Sequence, residues 1–146
     1  FFECDQGHFP LWFRSFLNHT SREISIKSVL AGRNILALEA AKQNLLPESA
    51  PELIPAIDPD LSSADLLNAG GGTFPLLFLF PEAVPKTDRW SAYWAGLDKL
   101  MAKDSMFFIG LTSTEADRFD KIKQRGFQRV GDIKRQGYRV LAYQKL

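Results

Sequence analysis

A chain of 146 residues, 45% hydrophobic and 24% charged, falls in the range of one globular domain with a single core. No apolar run reaches the length of about eighteen residues that a membrane-spanning helix needs, Phe1-Phe2-Glu3 does not open a secretion signal, and the lone Cys4 excludes an internal disulfide or a multi-thiol zinc site. The net charge of +1 conceals an asymmetry: residues 1–85 carry five basic and ten acidic side chains, residues 86–146 thirteen and seven.

Phe1 to Cys4 reads as a short strand, broken at Asp5-Gln6-Gly7-His8 by a residue able to take positive φ. Pro10 to Leu17 follows as a helix with Pro in its first turn, ended by Asn18-His19-Thr20. Ile24, Ile26 and Val29-Leu30 form a second strand. Ile35, Leu38, Ala41, Leu45 and Leu46 then recur at helical spacing behind Asn34 as a cap, and Pro47 closes that helix. Glu52 to Ile57 is a weak third strand, and Leu61 to Ala69 a short helix before Gly70-Gly71-Gly72.

Leu76 to Phe80 is apolar throughout and lies between prolines, the pattern of a central strand covered on both faces. Asp88 to Lys103 is amphipathic, with Trp90, Tyr93, Trp94, Leu97, Leu100 and Met101 on one side, and Met106 to Leu111 is a further buried strand. Thr114-Glu115-Ala116-Asp117 starts a helix that Gly126 is placed to end. Phe127 to Ile133 and Tyr138 to Tyr143 are two strands joined by the turn Lys134-Arg135-Gln136-Gly137. Alternating strands and helices predict an α/β fold with a doubly wound, mostly parallel sheet, and the terminal hairpin requires at least one antiparallel strand.

Three stretches carry a resemblance to a known family: Phe2-Glu3-Cys4-Asp5-Gln6-Gly7-His8-Phe9, Ala37-Leu38-Glu39-Ala40-Ala41-Lys42-Gln43-Asn44-Leu45, and Val84-Pro85-Lys86-Thr87. Together with the element order they resemble the class I S-adenosylmethionine-dependent methyltransferases, whose Rossmann-like sheet takes an antiparallel strand near one edge. More narrowly, the chain resembles the amino-terminal half of ribosomal RNA guanine-N2 methyltransferases, whose chains hold two related domains in tandem. The resemblance implies one methyltransferase-like domain over residues 1–146, excised from a longer two-domain chain whose other domain is catalytic. A first residue other than Met, in a segment that already reads as strand, fits that expectation.

In that fold the methyl donor needs close backbone approach after the first strand, from an acidic residue followed by several glycines. Asp5, Gly7 and Gly32 occupy the corresponding positions, but Asp5 and Phe9 stand where small residues belong. Leu30-Ala31-Gly32-Arg33 ends the second strand without a carboxylate for ribose hydroxyls. The expectation is a donor pocket partly filled by Phe9 or His8, with no cofactor bound. S-adenosylmethionine would bind only if an atypical loop around Asp5 and Gly7 had kept the site. The Asn-Pro-Pro-aromatic segment of base-modifying members is replaced by Phe80-Pro81-Glu82-Ala83-Val84-Pro85-Lys86, so no catalytic residue is assigned. Lys86 is expected to meet phosphate or a partner domain, and Glu82 is the single nearby base.

Other chemistry finds less support. His8 and His19 lie eleven residues apart, which is not a metal-binding pair, and no metal site is assigned. Cys4 between Glu3 and Asp5 is expected to stay a thiol. Gly70-Gly71-Gly72 lacks the ending of a phosphate loop. Trp90, Tyr93 and Trp94 belong to a core, because base-stacking platforms use aromatics exposed on strands. The basic end of the chain, with Lys121, Lys123, Arg125, Lys134, Arg135 and Arg139 and only Asp132 among them, is expected to form one continuous surface for structured RNA, ribosomal RNA above all. The functional expectation is a non-catalytic, cytoplasmic, methyltransferase-like module that supports rRNA methylation by a partner domain. The alternatives are an active methyltransferase with an atypical donor loop, or an assembly domain that makes no RNA contact.

Overall fold

A computed structural model describes residues 1–5, 7–20, 27–45, 52–55, 61, 64–69, 72–81, 89–122 and 125–146. In chain order the elements are α1 (His8–Thr20), β1 (Val29–Gly32), α2 (Ile35–Leu45), β2 (Glu52–Pro55), α3 (Ala64–Asn68), β3 (Phe74–Leu79), α4 (Arg89–Leu100), β4 (Met101–Thr112), α5 (Ser113–Lys121), β5 (Phe127–Arg135) and β6 (Tyr138–Lys145). Ile24, Ile26, Pro47 and Gly70-Gly71 lie outside the described residues.

The sheet is built as alternation predicts. β1 pairs in parallel with β2, β3 in parallel with β4, and the order continues β3-β4-β6-β5. Only β6 runs against the rest, antiparallel to both β4 and β5. The strand expected over Phe1–Cys4 shortens to Phe2, which bridges Ala31 on one side and Leu79 on the other and so joins the two halves of the sheet. Its backbone amide donates to the Phe78 carbonyl at 2.8 Å, and its carbonyl accepts from Phe80 at 3.0 Å. The strand stops there because Glu3 and Asp5 take left-handed backbone angles, φ 53° and 50°, that no strand accommodates.

Strand alternation sends side chains to two layers. Leu79, Phe107, Ile109, Leu141 and Tyr143 face α3, α4 and α5, whose Leu66, Trp94, Leu97 and Phe119 complete the larger core. Trp90, Tyr93 and Trp94 are buried there as expected: Trp94 stacks on Phe119 at 4.4 Å and donates its indole N–H to the Phe119 carbonyl. On the other face Leu30, Leu38, Ala41 and Leu45 form a smaller cluster with α1 and α2. Asn34 caps α2 as predicted, its Oδ1 accepting from the amides of Leu36 and Ala37 at 3.1 Å each.

Three boundaries differ from the sequence reading. The helix expected to reach Lys103 ends at Leu100, because Met101 already pairs with Phe74. The Lys145 ammonium donates to the carbonyls of Asp98 and Met101, holding that helix end from across the sheet. Residues 102–105 bulge, with Asp104 at φ 65°, before pairing resumes at Met106. Second, α5 ends at Lys121 with Ile122 as its cap, whereas the Gly126 carbonyl accepts from the Leu146 amide at 2.9 Å. Third, the four-residue turn contracts to Gln136-Gly137, both at positive φ (45° and 85°), the mirror-image turn that suits the twist of a hairpin.

Candidate functional site

The turn after Phe2 and the end of β1 meet in a cleft of about 40 Å³, lined by Glu3, Cys4, Asp5, Ala31, Gly32, Asn34, Ala37 and Leu38. Asp5 and Gly32 are therefore together, as their positions in sequence predict. Gly7 is not a lining residue. Its missing side chain makes room for α2: a β-carbon there would lie 2.7 Å from the Ala41 Cβ, at a backbone φ of 82°. The glycine admits a neighbouring helix rather than a ligand.

The expectation that Phe9 or His8 fills this cleft is corrected. Phe9 packs 5.0 Å from Phe78 and 5.1 Å from Phe80, within an aromatic group that includes Phe1 and Phe13, and His8 is exposed. One wall of the cleft carries half of an ion pair. Glu3 lies against Gly32, and its Oε1 accepts from the Arg33 backbone amide at 3.2 Å and from Arg33 Nε at 2.8 Å. The sequence reading noted that Arg33 stands where a carboxylate would be needed. Of the two carboxylates that line the cleft, Glu3 and Asp5, the first is held by that same arginine, thirty residues later in the chain.

The cleft that the described residues leave at this turn is small. Ligand pockets typically have about 300 Å³ or more, several times the volume here. The backbone approach at Gly7 is taken by Ala41, and Asp5 presents a side chain at a left-handed position usually left to glycine. Cys4 is buried, and burial first, then the charges of Glu3 and Asp5, pushes its thiol up and discourages the thiolate. Glu82 and Lys86 lie outside the described residues. No cluster of metal-ligating side chains exists among the described residues, and His19 Nδ1 lies 2.8 Å from the Ser15 carbonyl of its own helix.

The basic residues separate into two groups. Lys121 and Arg125 are exposed near the end of α5 and the start of β5, while Lys134 and Arg135 are exposed at the far end of β5. The length of β5 between them is about 26 Å at the usual rise per strand residue. Lys123 lies outside the described residues. Among the described residues the middle is neutralised, which interrupts the expected continuous surface. Arg139 pairs with both Asp117 and Asp132, and Arg129 lies 3.0 Å from Asp120 and 3.7 Å from Asp132. Arg139 is thus a structural cation whose guanidinium the two carboxylates hold strongly protonated. Sequence reading counted only Asp132 against the basic run; Asp117 and Asp120, three apart on α5, were the missed signal.

No protein-family model matches the chain, and no curated protein matches it in sequence. Solved structures match its fold over 99% of its length. TrmN from Thermus thermophilus superposes with a TM-score of 0.75 at 14% identity, the chain covering 42% of that protein. The ribosomal protein L11 methylase of Lactobacillus delbrueckii subsp. bulgaricus gives 0.71 at 11% identity, with 67% covered. The N-methyltransferase NodS of Bradyrhizobium japonicum WM9, solved with S-adenosyl-L-homocysteine, gives 0.72 at 12% identity, with 75% covered. The architecture, down to the single reversed strand in the terminal hairpin, is that of the Rossmann-like fold of class I S-adenosylmethionine-dependent methyltransferases.

Proposed function

We propose that this chain is a methyltransferase-like module that does not itself transfer methyl groups, and that it supports methylation of ribosomal RNA by a catalytic domain of the same longer chain through RNA binding and scaffolding in the cytoplasm. The observation that carries the reading is the Glu3–Arg33 pair beside the cleft, which engages a carboxylate that would otherwise be available to ribose hydroxyls. The comparisons supply the fold; the loss of donor chemistry is argued from these residues.

The test is a calorimetric titration of the chain with S-adenosylmethionine and with S-adenosyl-L-homocysteine. No heat of binding is expected at millimolar ligand. A micromolar dissociation constant would overturn the non-catalytic reading and favour the active enzyme with an atypical loop, in line with NodS, which holds S-adenosyl-L-homocysteine on the same fold.

RNA contact is assigned to Lys134 and Arg135, exposed cations for which no ion pair is present among the described residues. Such contacts position phosphate without reading bases. Replacing both with Ala is expected to weaken binding of a ribosomal RNA fragment and to flatten the log–log salt dependence by about 1.4, given roughly 0.7 per contact on a single strand. The fold should be unaffected, because exposed turn charges contribute little. Equal affinity and slope for wild type and double variant would remove this surface from the RNA contact.

A further inference from the structure

The tip of the β5–β6 hairpin is anchored on one side and bare on the other. The Gly137 carbonyl accepts from the Ser113 amide at 2.8 Å and from Ser113 Oγ at 3.1 Å, tying the turn to the start of α5. Two residues later, Arg139 is fixed by Asp117 and Asp132. Tyr138 lies between these anchors, and alternation along β6 turns it to the opposite face, where it is 65% exposed.

On that face its register partner is Arg135, and the next pair is Ile133 with Val140, both exposed. Beyond them come small residues, Gly131 opposite Ala142, and Gly110 beside Val140 on β4. The result is a shallow apolar floor with one aromatic ring at its end. Arg135 stands beside that ring as its register partner, Lys134 pairs with Arg139 on the α5 face at the same end of the hairpin, and the carboxylates Asp117 and Asp132 are engaged by Arg139. Net positive charge beside a rigidly presented ring complements a polyanion that carries flat faces of its own. Strand-borne aromatics with neighbouring cations hold single-stranded nucleic acid in this way, because every base offers a π-face to stack on.

We infer that Tyr138 stacks on an unpaired base of single-stranded RNA, with Arg135 on the adjoining phosphate and Lys134 adding charge from the edge of the hairpin tip. The inference rests on the RNA-binding reading above and sharpens it from phosphate contact in general to a single-strand site.

The experiment measures fluorescence anisotropy of a labelled single-stranded RNA oligonucleotide and of its duplex, across several salt concentrations, with wild type, Tyr138→Ala, Tyr138→Phe and the Lys134→Ala/Arg135→Ala double variant. Tyr138→Ala is expected to weaken single-strand binding by about five-fold or more at every salt concentration, leaving the salt slope unchanged, because stacking is not counterion release. Tyr138→Phe should bind as wild type does, and duplex affinity should change little with either substitution. Circular dichroism of Tyr138→Ala should match wild type, since the side chain is exposed. Single-strand affinity unchanged in Tyr138→Ala, with the double variant still weakened, overturns the stacking site and leaves the RNA reading standing. Absence of binding to either RNA overturns both. Self-association of wild type that Tyr138→Ala abolishes, without an effect on RNA, would assign the face to a protein contact instead.

Discussion

The turn after Phe2 and the tip of the terminal hairpin are assembled from the same parts. Each has a glycine near φ 85° (Gly7 at 82°, Gly137 at 85°), each forces a non-glycine residue into the left-handed region (Asp5 at 50°, Gln136 at 45°), and each clamps an arginine with carboxylate (Arg33 by Glu3, Arg139 by Asp117 and Asp132). The outcomes are opposite. In the first turn Gly7 packs against α2 and Glu3 turns to Arg33 beside the cleft, so its tethered groups face the protein's own contacts. At the hairpin tip the anchors all lie on the α5 side, which stiffens the backbone and leaves the reverse face open to solvent. Backbone strain therefore says little by itself about where a ligand goes; the direction in which the tethered side chains point decides it.

The two glycines give the sharpest test of that contrast. Gly7→Ala would place a β-carbon 2.7 Å from the Ala41 Cβ and 2.9 Å from its Cα, while nothing lies within 4 Å of the corresponding position at Gly137. Both substitutions carry the cost of a left-handed alanine, about 1 kcal/mol. Gly7→Ala adds overpacking against a helix backbone, for a total expected loss of about 3 kcal/mol. Urea midpoints of the two variants should separate accordingly. Equal losses would mean that α2 shifts freely and that the first turn is not a packed contact.

Much of the fold is legible in the sequence because it is written in local periodicity. Leu76 to Phe80 reads as a central strand from its apolar run, and Leu77 to Leu79 are buried although Leu76 is exposed; Trp90, Tyr93 and Trp94 read as core from their helical spacing, and Asn34 as a cap from its position. The missed boundaries depend on distant partners. The end of α4 is set by Phe74 pairing with Met101 and by Lys145 reaching its last carbonyls, neither of which any window around residue 100 contains. The candidate site is less legible for the same reason: Asp5 and Gly32 meet as their motif positions imply, but the Glu3–Arg33 pair and the neutralisation of Arg139 by α5 join residues 30 and 22 apart. Tyr138 is not legible as a site because its exposure depends on how far the neighbouring strand, Met106 to Leu111, expected to be buried, is covered. In the structure Phe107, Ile109 and Leu111 are buried, while Met106, Phe108 and Gly110 on the other side are only half covered.

A smaller effect tests how firmly the anchored side of the hairpin is held. The Tyr143 hydroxyl donates to Asp120 Oδ1 at 2.7 Å from a fully buried ring, and burial first, then Asp120, raises its ionisation well above the ordinary tyrosine range. A raised folded value stabilises the fold at all pH below the unfolded value near 10, and that contribution is lost as pH climbs beyond it. Tyr143→Phe is expected to cost about 1.5 to 3 kcal/mol at pH 7, the range for a hydrogen bond to a charged acceptor. The gap between the two proteins should narrow above about pH 10, as the wild type alone acquires a group that must stay protonated. Denaturant midpoints at pH 7 and in that alkaline range measure both, and a gap constant with pH would show that the hydroxyl contributes by packing only.

The smallest expected effect lies in the clamp itself. The hydrogen bond from Arg139 holds the Asp132 carboxyl below the usual aspartate range. A depressed folded value means that the unfolded chain binds the proton first on acidification, so the stabilisation is present above the unfolded value near 3.9 and is lost as pH falls through the folded one. The pair is partly solvated, with the Asp132 side chain 32% exposed, so its contribution is on the order of a few tenths of a kcal/mol. Asp132→Asn should be slightly less stable than wild type at pH 7, and the gap should close as the pH falls below the usual aspartate range, with Asp117 still on Arg139 in the variant. The same substitution tests the frame around Tyr138. If the clamp serves to present that ring, Asp132→Asn lowers single-strand RNA affinity by more than its small stability cost would produce in a protein that stays fully folded. An unchanged affinity would mean that the Ser113 contacts to Gly137 hold the tip unaided.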